Sequence, residues 1–323
     1  MERTPSPTPD CPRLCTLTDG NAGNQRQVSA LAAALAAPAA ITDITLQARA
    51  PWRWLSPHRL PGAQLAFGDA FAQMQTPSLA IGCGRQAALA TRLLRERGAK
   101  AVQILDPRLD PSHWDLVIAP EHDGLRGGNV IPLLGSLNPV DDDWLAAART
   151  RFAHLAELPR PRTALLLGGD SAHWRFGMAV FESLASTLDT ALARDGGSLL
   201  VTASRRTPAA IAEALPARLG HFASLIWRSE RNGENPYPGL LAWADRIVCT
   251  PDSVNMVSEA CATHAPVFVL EPQRIDGRPR RFLDALLARG RIRALDAQLT
   301  AFDAQPLRET ARVAAVVRER LGI

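Results

Sequence analysis

From residue 14 to residue 119 short apolar runs alternate with helical patterns, and after residue 162 the same alternation starts afresh. No other feature of the chain narrows its fold so far. Residues 14–17, 41–46, 79–81, 101–105 and 116–119 read as buried strands. Between them, residues 25–37 place Val28, Leu31 and Leu35 on one helical face, and Leu89, Leu93 and Leu94 repeat the pattern. Apolar strands separated by amphipathic helices require βαβ units, and so parallel sheets covered on both faces. Residues 49–75, with Trp52, Trp54, Pro57 and Pro61, follow neither period and predict no element.

The restart follows Glu157-Leu158-Pro159-Arg160-Pro161-Arg162, a proline-broken stretch that reads as a linker. Strands are then expected at 163–167, 199–202, 225–227, 246–249 and 267–270. Phe181, Leu184, Leu188 and Leu192 mark a helix, Pro208 opens another, a third begins at Asp252, and residues 307–321 form a closing amphipathic helix. The expectation is an α/β chain of two Rossmann-like domains in a GT-B arrangement, with a cleft between them. Residues 1–12 would be a disordered leader, 13–156 an N-terminal acceptor domain, 157–162 the linker, and 163–323 a C-terminal nucleotide-sugar donor domain whose last helix returns to pack on the first. One large doubly wound sheet is the alternative, and the restart argues against it. The length of 323 residues also exceeds what a single core usually organises.

The net charge is +4, and the basic residues, mostly arginine, are spread along the chain. That spread suits phosphate recognition or transient contact with the inner face of a membrane, and it lacks the concentrated basic face of a nucleic-acid binder. Five cysteines, Cys11, Cys15, Cys83, Cys249 and Cys261, have no paired spacing, so neither a zinc site nor a disulfide framework is expected. No apolar run reaches the roughly 18 residues of a membrane span, and the leader lacks the apolar core of a signal peptide. A cytoplasmic protein is the expectation.

In open parallel sheets ligands gather where strands end and helices begin. Leu17-Thr18-Asp19-Gly20-Asn21-Ala22-Gly23-Asn24 is such a turn, with glycines for close backbone approach and open helix N–H groups for an anion. It matches neither the dinucleotide fingerprint nor a Walker A loop, which argues against an NAD-dependent oxidoreductase. Ile81-Gly82-Cys83-Gly84-Arg85 is the second, where Arg85 is placed to meet an anion and Cys83 reads as a small buried residue. Pro120-Glu121-His122-Asp123-Gly124 offers His122 as a base that titrates near neutral pH. In the second half, Gly168-Gly169-Asp170-Ser171 and Ser204-Arg205-Arg206-Thr207 supply amides, hydroxyls and guanidinium groups suited to a diphosphate. Thr207 is equally a candidate helix cap. Thr250-Pro251-Asp252-Ser253 then opens a helix that carries Glu259 about two turns in, where a carboxylate would reach ribose hydroxyls.

These turns resemble, in order, the plant mitochondrial-fission (elongated-mitochondria) protein family and its bacterial relatives. The resemblance is carried by Thr18-Asp19-Gly20 with Gly23-Asn24 and Gln27, Gly84-Arg85, Pro120 to Asp123, Ser204 to Pro208, Asn235-Pro236-Tyr237, and Asp252 to Glu259. It runs from about residue 14 to about residue 281, and its last two motifs are the most specific. The segment from Ser253 to Glu259 also resembles the donor-site helix of the GT-B glycosyltransferase that makes lipid II, where the matching glutamate binds the nucleotide ribose. The resemblance implies a nucleoside-diphosphate-sugar enzyme on the bacterial side and a factor that recruits a dynamin-related protein on the plant side.

The leading expectation is a metal-independent glycosyltransferase without a cofactor. Gly169, Ser204, Arg205, Arg206, Tyr237, Ser253 and Glu259 would hold the donor, Asn24, Gly84 and Arg85 the acceptor, and Asp19 or His122 would act as the base. A glycan or glycolipid of the bacterial envelope is the expected acceptor class. A GT-B nucleotide-sugar epimerase and a non-catalytic scaffold that recruits a protein partner are the alternatives.

Overall fold

The computed structural model describes residues 14–323; the expected leader and Cys11 lie outside that range. The chain divides into two compact units, one of residues 14–139 with 309–323 and the other of residues 140–308.

The first unit holds a six-stranded, wholly parallel sheet of β1 (Leu14–Thr18), β2 (Ile41–Thr45), β3 (Leu79–Cys83), β4 (Lys100–Ile104), β5 (Leu116–Pro120) and β6 (Val130–Leu133), in the order β2-β1-β3-β4-β5-β6. Helices α1 (Ala22–Leu35) and α4 (Arg85–Glu96) bury the faces read from the sequence: Val28 and Leu31 on one, Leu89, Leu93 and Leu94 on the other. The irregular stretch forms two short helices, α2 (Trp52–Leu55) and α3 (Asp69–Gln73). They are too short to leave a periodic signature in the sequence.

The second unit contains α5 (Asp142–Arg151), β7 (Arg162–Leu167), α6 (Met178–Asp195), β8 (Ser198–Ala203), α7 (Ala209–Leu219), β9 (Ala223–Trp227), α8 (Tyr237–Trp243), β10 (Arg246–Cys249), α9 (Val254–Cys261), β11 (Val267–Val269), α10 (Gly277–Ala288) and β12 (Ile292–Ala294). Its six parallel strands run β12-β11-β10-β7-β8-β9, the strand order of a Rossmann sheet. Both units are therefore Rossmann-like, and the chain has the α/β architecture of GT-B proteins.

Two boundaries differ from the expectation. The chain passes into the second unit at residue 140, because α5 packs on α8: Arg149 Nε donates to the Ala242 carbonyl at 3.0 Å, and a Cβ on Gly239 would press on Phe152 at 2.6 Å. The proline stretch is accordingly part of that unit and not a linker. Ser198 donates from its backbone N–H to Pro161 O at 3.1 Å and from its hydroxyl to Pro159 O at 2.7 Å, while Arg162 N–H donates to Asp245 at 2.7 Å. Prolines stop helix formation but pack as well as any apolar residue, and composition does not separate the two roles. The closing helix, α11 (Glu309–Leu321), belongs to the first unit, where Val313 and Val317 are buried in one cluster with Val28 and Leu31. Thr310 fixes its start by donating to Asn138 O at 2.7 Å.

Candidate functional site

Strand order locates the candidate positions before any side chain is considered. In the second sheet the chain builds outward from β7 through β8 and β9, then returns to place β10 on the other side of β7. The crossovers after β7 and β10 leave on opposite faces, and their loops open a crevice at the carboxyl ends of two adjacent strands. The first sheet reverses in the same way between β1 and β3.

At the reversal of the second sheet, three loops are tied through one carboxylate. Asp252, whose side chain is 0% exposed, accepts from the Thr250 hydroxyl at 2.7 Å and from Gly169 N–H at 3.0 Å, and pairs with the Arg206 guanidinium at 2.6 Å. Thr250 Oγ1 in turn accepts from Gly168 N–H at 2.8 Å. A carboxylate taken this far out of water persists only when cation and donors replace its hydration, and here they do. The Thr207 hydroxyl lies 2.6 Å from Gly168 O and accepts from Ser204 N–H at 3.0 Å, which fixes the loop after β8. Gly168 and Gly169 are required by this proximity. A Cβ on the first would overlap the Asp252 carboxylate, and one on the second would overlap the Arg206 carbonyl.

Helix α9 starts beside this knot. Ser253 caps it, accepting from Met256 N–H at 3.3 Å, and its first turn presents backbone N–H groups without partners inside the helix. At its far end the buried Arg291 donates to Cys261 O at 3.0 Å and Thr263 O at 2.8 Å, setting a cation against the negative end of the helix. Glu259 is 1% exposed and accepts from the Tyr237 phenol at 2.5 Å. Tyr237 is held in turn by its own N–H, which donates to Asn235 Oδ1 at 3.0 Å.

A pocket of about 340 Å³ lies along the loop that leaves β7, lined by Ser171, His173, Trp174, Arg175 and Arg274 among others. Asp170 shapes that loop. It accepts from Phe176 N–H at 2.8 Å and pairs with Arg175, and these bonds, the backbone one foremost, hold its carboxyl below the usual range. Arg274, which also lines the pocket, pairs with Glu271 at 3.0 Å.

In the first unit the reversal assembles Asp19, Asn24, Cys83 and Gly84. Asn24 Nδ2 donates to Asp19 Oδ1 at 3.1 Å, and the Cys83 thiol donates to Asn24 Oδ1 at 3.4 Å, so the amide orients the carboxylate. Gly84 has φ +95°, and a Cβ there would stand 2.8 Å from Asn24 Nδ2. Burial, and secondarily the Asp19 charge, pushes the Cys83 thiol above its ordinary range, and the buried thiol serves here as a hydrogen-bond donor to Asn24.

The sequence-derived residues thus fall into separate sets. Gly169, Ser204, Arg206 and Ser253 converge on the β7–β10 reversal, Arg205 is exposed in the same β8 loop, and Tyr237, at the start of α8, forms a buried pair with Glu259 on the second turn of α9. Asp19, Asn24 and Gly84 converge on the β1–β3 reversal, with Arg85 exposed at the start of α4. His122 sits on the turn after β5, three strand positions from β1 and so roughly 14 Å from Asp19 at the usual strand spacing. The two candidate bases are alternatives and not a pair. Asp252 and Thr250 were missed as partners of Gly168 and Gly169; the Thr-Pro-Asp-Ser turn after a buried strand was their visible signal. Thr207 binds carbonyls and does not cap α7, a place taken by Pro208. Among the described residues no group of three His, Cys, Asp or Glu side chains is arranged to hold a metal ion.

Residues 22–321 match the family model for Mitochondrial fission ELM1. The chain belongs to this family. Among ELM1-family relatives, the mitochondrial fission protein ELM1 of Arabidopsis thaliana is 29% identical over 277 residues, covering 76% of this chain and 64% of the plant protein. The chain thus spans less than two thirds of that relative's length. An uncharacterised protein of Rickettsia prowazekii is 24% identical across 96% of this chain and 99% of its own. Solved structures of the same fold include a putative UDP-N-acetylglucosamine 2-epimerase of Listeria monocytogenes, with TM-score 0.57 and 12% identity over 96% of this chain and 97% of that one. The UDP-GlcNAc 2-epimerase of Neisseria meningitidis, bound to UDP-GlcNAc, gives 0.55 and 11% over 95% and 98%. Phytolacca americana UGT2, complexed with UDP-2fluoro-glucose and pterostilbene, gives 0.50 and 11% over 95% and 89%. At these identities the likeness is one of fold. No helix among the described residues is long and apolar enough to cross a membrane.

Proposed function

We propose that this ELM1-family protein is a metal-independent glycosyltransferase whose donor is a nucleoside-diphosphate sugar held by the second unit. The observation that carries the reading is the β7–β10 reversal. There the positive end of α9 and the Ser253 hydroxyl lie beside a glycine loop packed tightly on Asp252 and Arg206, and the neighbouring β8 loop carries the exposed Arg205. In this reading the diphosphate lies on α9's first turn, and Glu259, kept oriented by Tyr237, accepts from the ribose hydroxyls. Asp252 and Arg206 touch no substrate; they hold the glycine loop against the β8 and β10 loops and keep the three in register. The bond from the sugar's anomeric carbon to the β-phosphate oxygen breaks, and the charge it leaves is stabilised by Arg205 and the helix dipole. The acceptor hydroxyl attacks that carbon, giving its proton to Asp19 or His122 in the first unit, where Asn24, Gly84 and Arg85 hold an acceptor of the glycan or glycolipid class. Solved structures of the same fold with UDP-sugars bound support the donor class.

Thermal shift and calorimetric titration with UDP, GDP, CDP, ADP and their sugar conjugates test the reading. A ligand at 100 times its dissociation constant adds about 2.7 kcal/mol to stability, and Glu259→Gln should weaken the same ligand. Failure of every nucleotide to stabilise the folded protein would refute the donor site and favour a recruiting scaffold. Incubation of the bound conjugate with and without glycan acceptors then separates transfer from epimerisation by the product formed.

A further inference from the structure

Only five large apolar side chains are strongly exposed among the described residues, and three of them, Trp54, Leu55 and Leu65, lie on two neighbouring short elements of the first unit. Trp54 and Leu55 end α2. Leu65 ends the turn of residues 63–65, which is held against α2: Arg49 N–H donates to Ala66 O at 2.8 Å, and the Trp52 ring lies 3.7 Å from where a Cβ on Gly62 would stand. Trp54 is 66% exposed, a large cost for a side chain that nothing in the fold requires outside.

The charge around this apolar tip has one sign along the chain. Between Asp43 and Asp69 there is no acidic residue, whereas Arg49, Arg53, His58 and Arg59 all fall in that interval. The neighbouring α4 adds Arg92, which donates to Pro57 O at 2.9 Å, and one carboxylate, Glu96, which pairs with Arg59 at 3.0 Å. Arg53 is exposed beside Trp54. An exposed tryptophan and two exposed leucines on adjoining elements, with exposed arginines interleaved among them in the chain, match the chemistry of an anionic bilayer surface: rings and chains among the headgroups, cations against the phosphates.

We propose that the first unit docks reversibly on anionic membrane surfaces through this patch, inserting Trp54, Leu55 and Leu65 while Arg53 and Arg59 contact lipid phosphates. The patch belongs to the first unit and shares no residue with the donor reading, so the two stand or fall separately.

The test is flotation of the purified full chain with vesicles of phosphatidylcholine alone or with about a third phosphatidylglycerol. The protein should float with the anionic vesicles, stay behind with the neutral ones, and detach as salt is raised. Arg53→Gln should lower partitioning about fivefold, the worth of one cation near an anionic surface. Trp54→Ser with Leu55→Ser should lower it at least about tenfold; because both side chains are already exposed, the melting temperature should not fall. Wild-type protein that ignores anionic vesicles, or variants that float like it, would overturn the proposal. So would light scattering that shows a dimer dissociated by the Trp54→Ser and Leu55→Ser changes, since the patch would then bind a second copy. Nucleotide titration of the same variants keeps this result distinct from any failure at the donor site.

Discussion

The Asp252–Arg206 pair offers the sharpest perturbation, because its members differ so much in exposure. The Asp252 side chain is 0% exposed, whereas Arg206 is 45% exposed and free to turn toward water once released. Replacing Arg206 by methionine leaves a buried carboxylate with only the Thr250 hydroxyl and Gly169 N–H as donors. Loss of a bond to a charged group costs about 1.5–3 kcal/mol, and the arginine's exposure argues for the lower end. Asp252→Asn keeps the shape but sets an amide N–H₂ against either Thr250, Gly169 or Arg206, all of which donate in the native structure. We expect it to cost about 2 kcal/mol. The double variant removes cation and anion together, so the two losses should not add, and the coupling from a double-mutant cycle should reach about 1–2 kcal/mol. Urea unfolding of the four proteins measures it. Single losses within 0.5 kcal/mol of zero, or a coupling below about 0.3 kcal/mol, would show that the carboxylate does not tie the three loops.

Two further outcomes can be checked by the same unfolding assay. Gly84→Ala should lose about 1–3 kcal/mol from its left-handed φ of +95° and the contact with Asn24; Gly98→Ala, at φ +101° with open space around it, should show the strain alone, and equal losses would discount the contact. Hydrogen bonds from Arg194, and then from Arg246, hold Asp195 at about 2 against its ordinary 3.8. Its contribution is therefore complete above 3.8 and lost as pH falls toward 2, so the stability gap between wild type and Asp195→Asn should close over that window. A gap constant between pH 6 and 2.5 would contradict this assignment.

Much of the fold was legible in the sequence because parallel strands buried on both faces must be continuously apolar, and Leu14, Leu17, Ile81, Ile118, Leu165 and Val248 are all in the core. The edge strands β6 and β12 were not read: β12 has one buried residue in three, and β6 carries Pro132. The turns that carry Asp19, Gly169, Ser204 and Ser253 were found because glycines, hydroxyls and short polar side chains interrupt apolar runs there. Their neighbours were invisible, since nothing local states that Thr250 reaches Gly168 across 82 residues.

The sequence by itself determined the two successive Rossmann-like alternations, the glycine- and hydroxyl-bearing turns that end their strands, and the family. Those properties rest on local periodicity and on short motifs within single turns. Which of those turns lie at a sheet's reversal came from the strand order. Only the tertiary structure decided that Asp252 is a buried tie, that Glu259 is paired with Tyr237, and that the proline stretch and α5 belong to the second unit. It also decided that Trp54 faces water. Each depends on which distant segments meet, because burial and charge pairing are properties of the assembled core, and a one-dimensional pattern does not encode the partner.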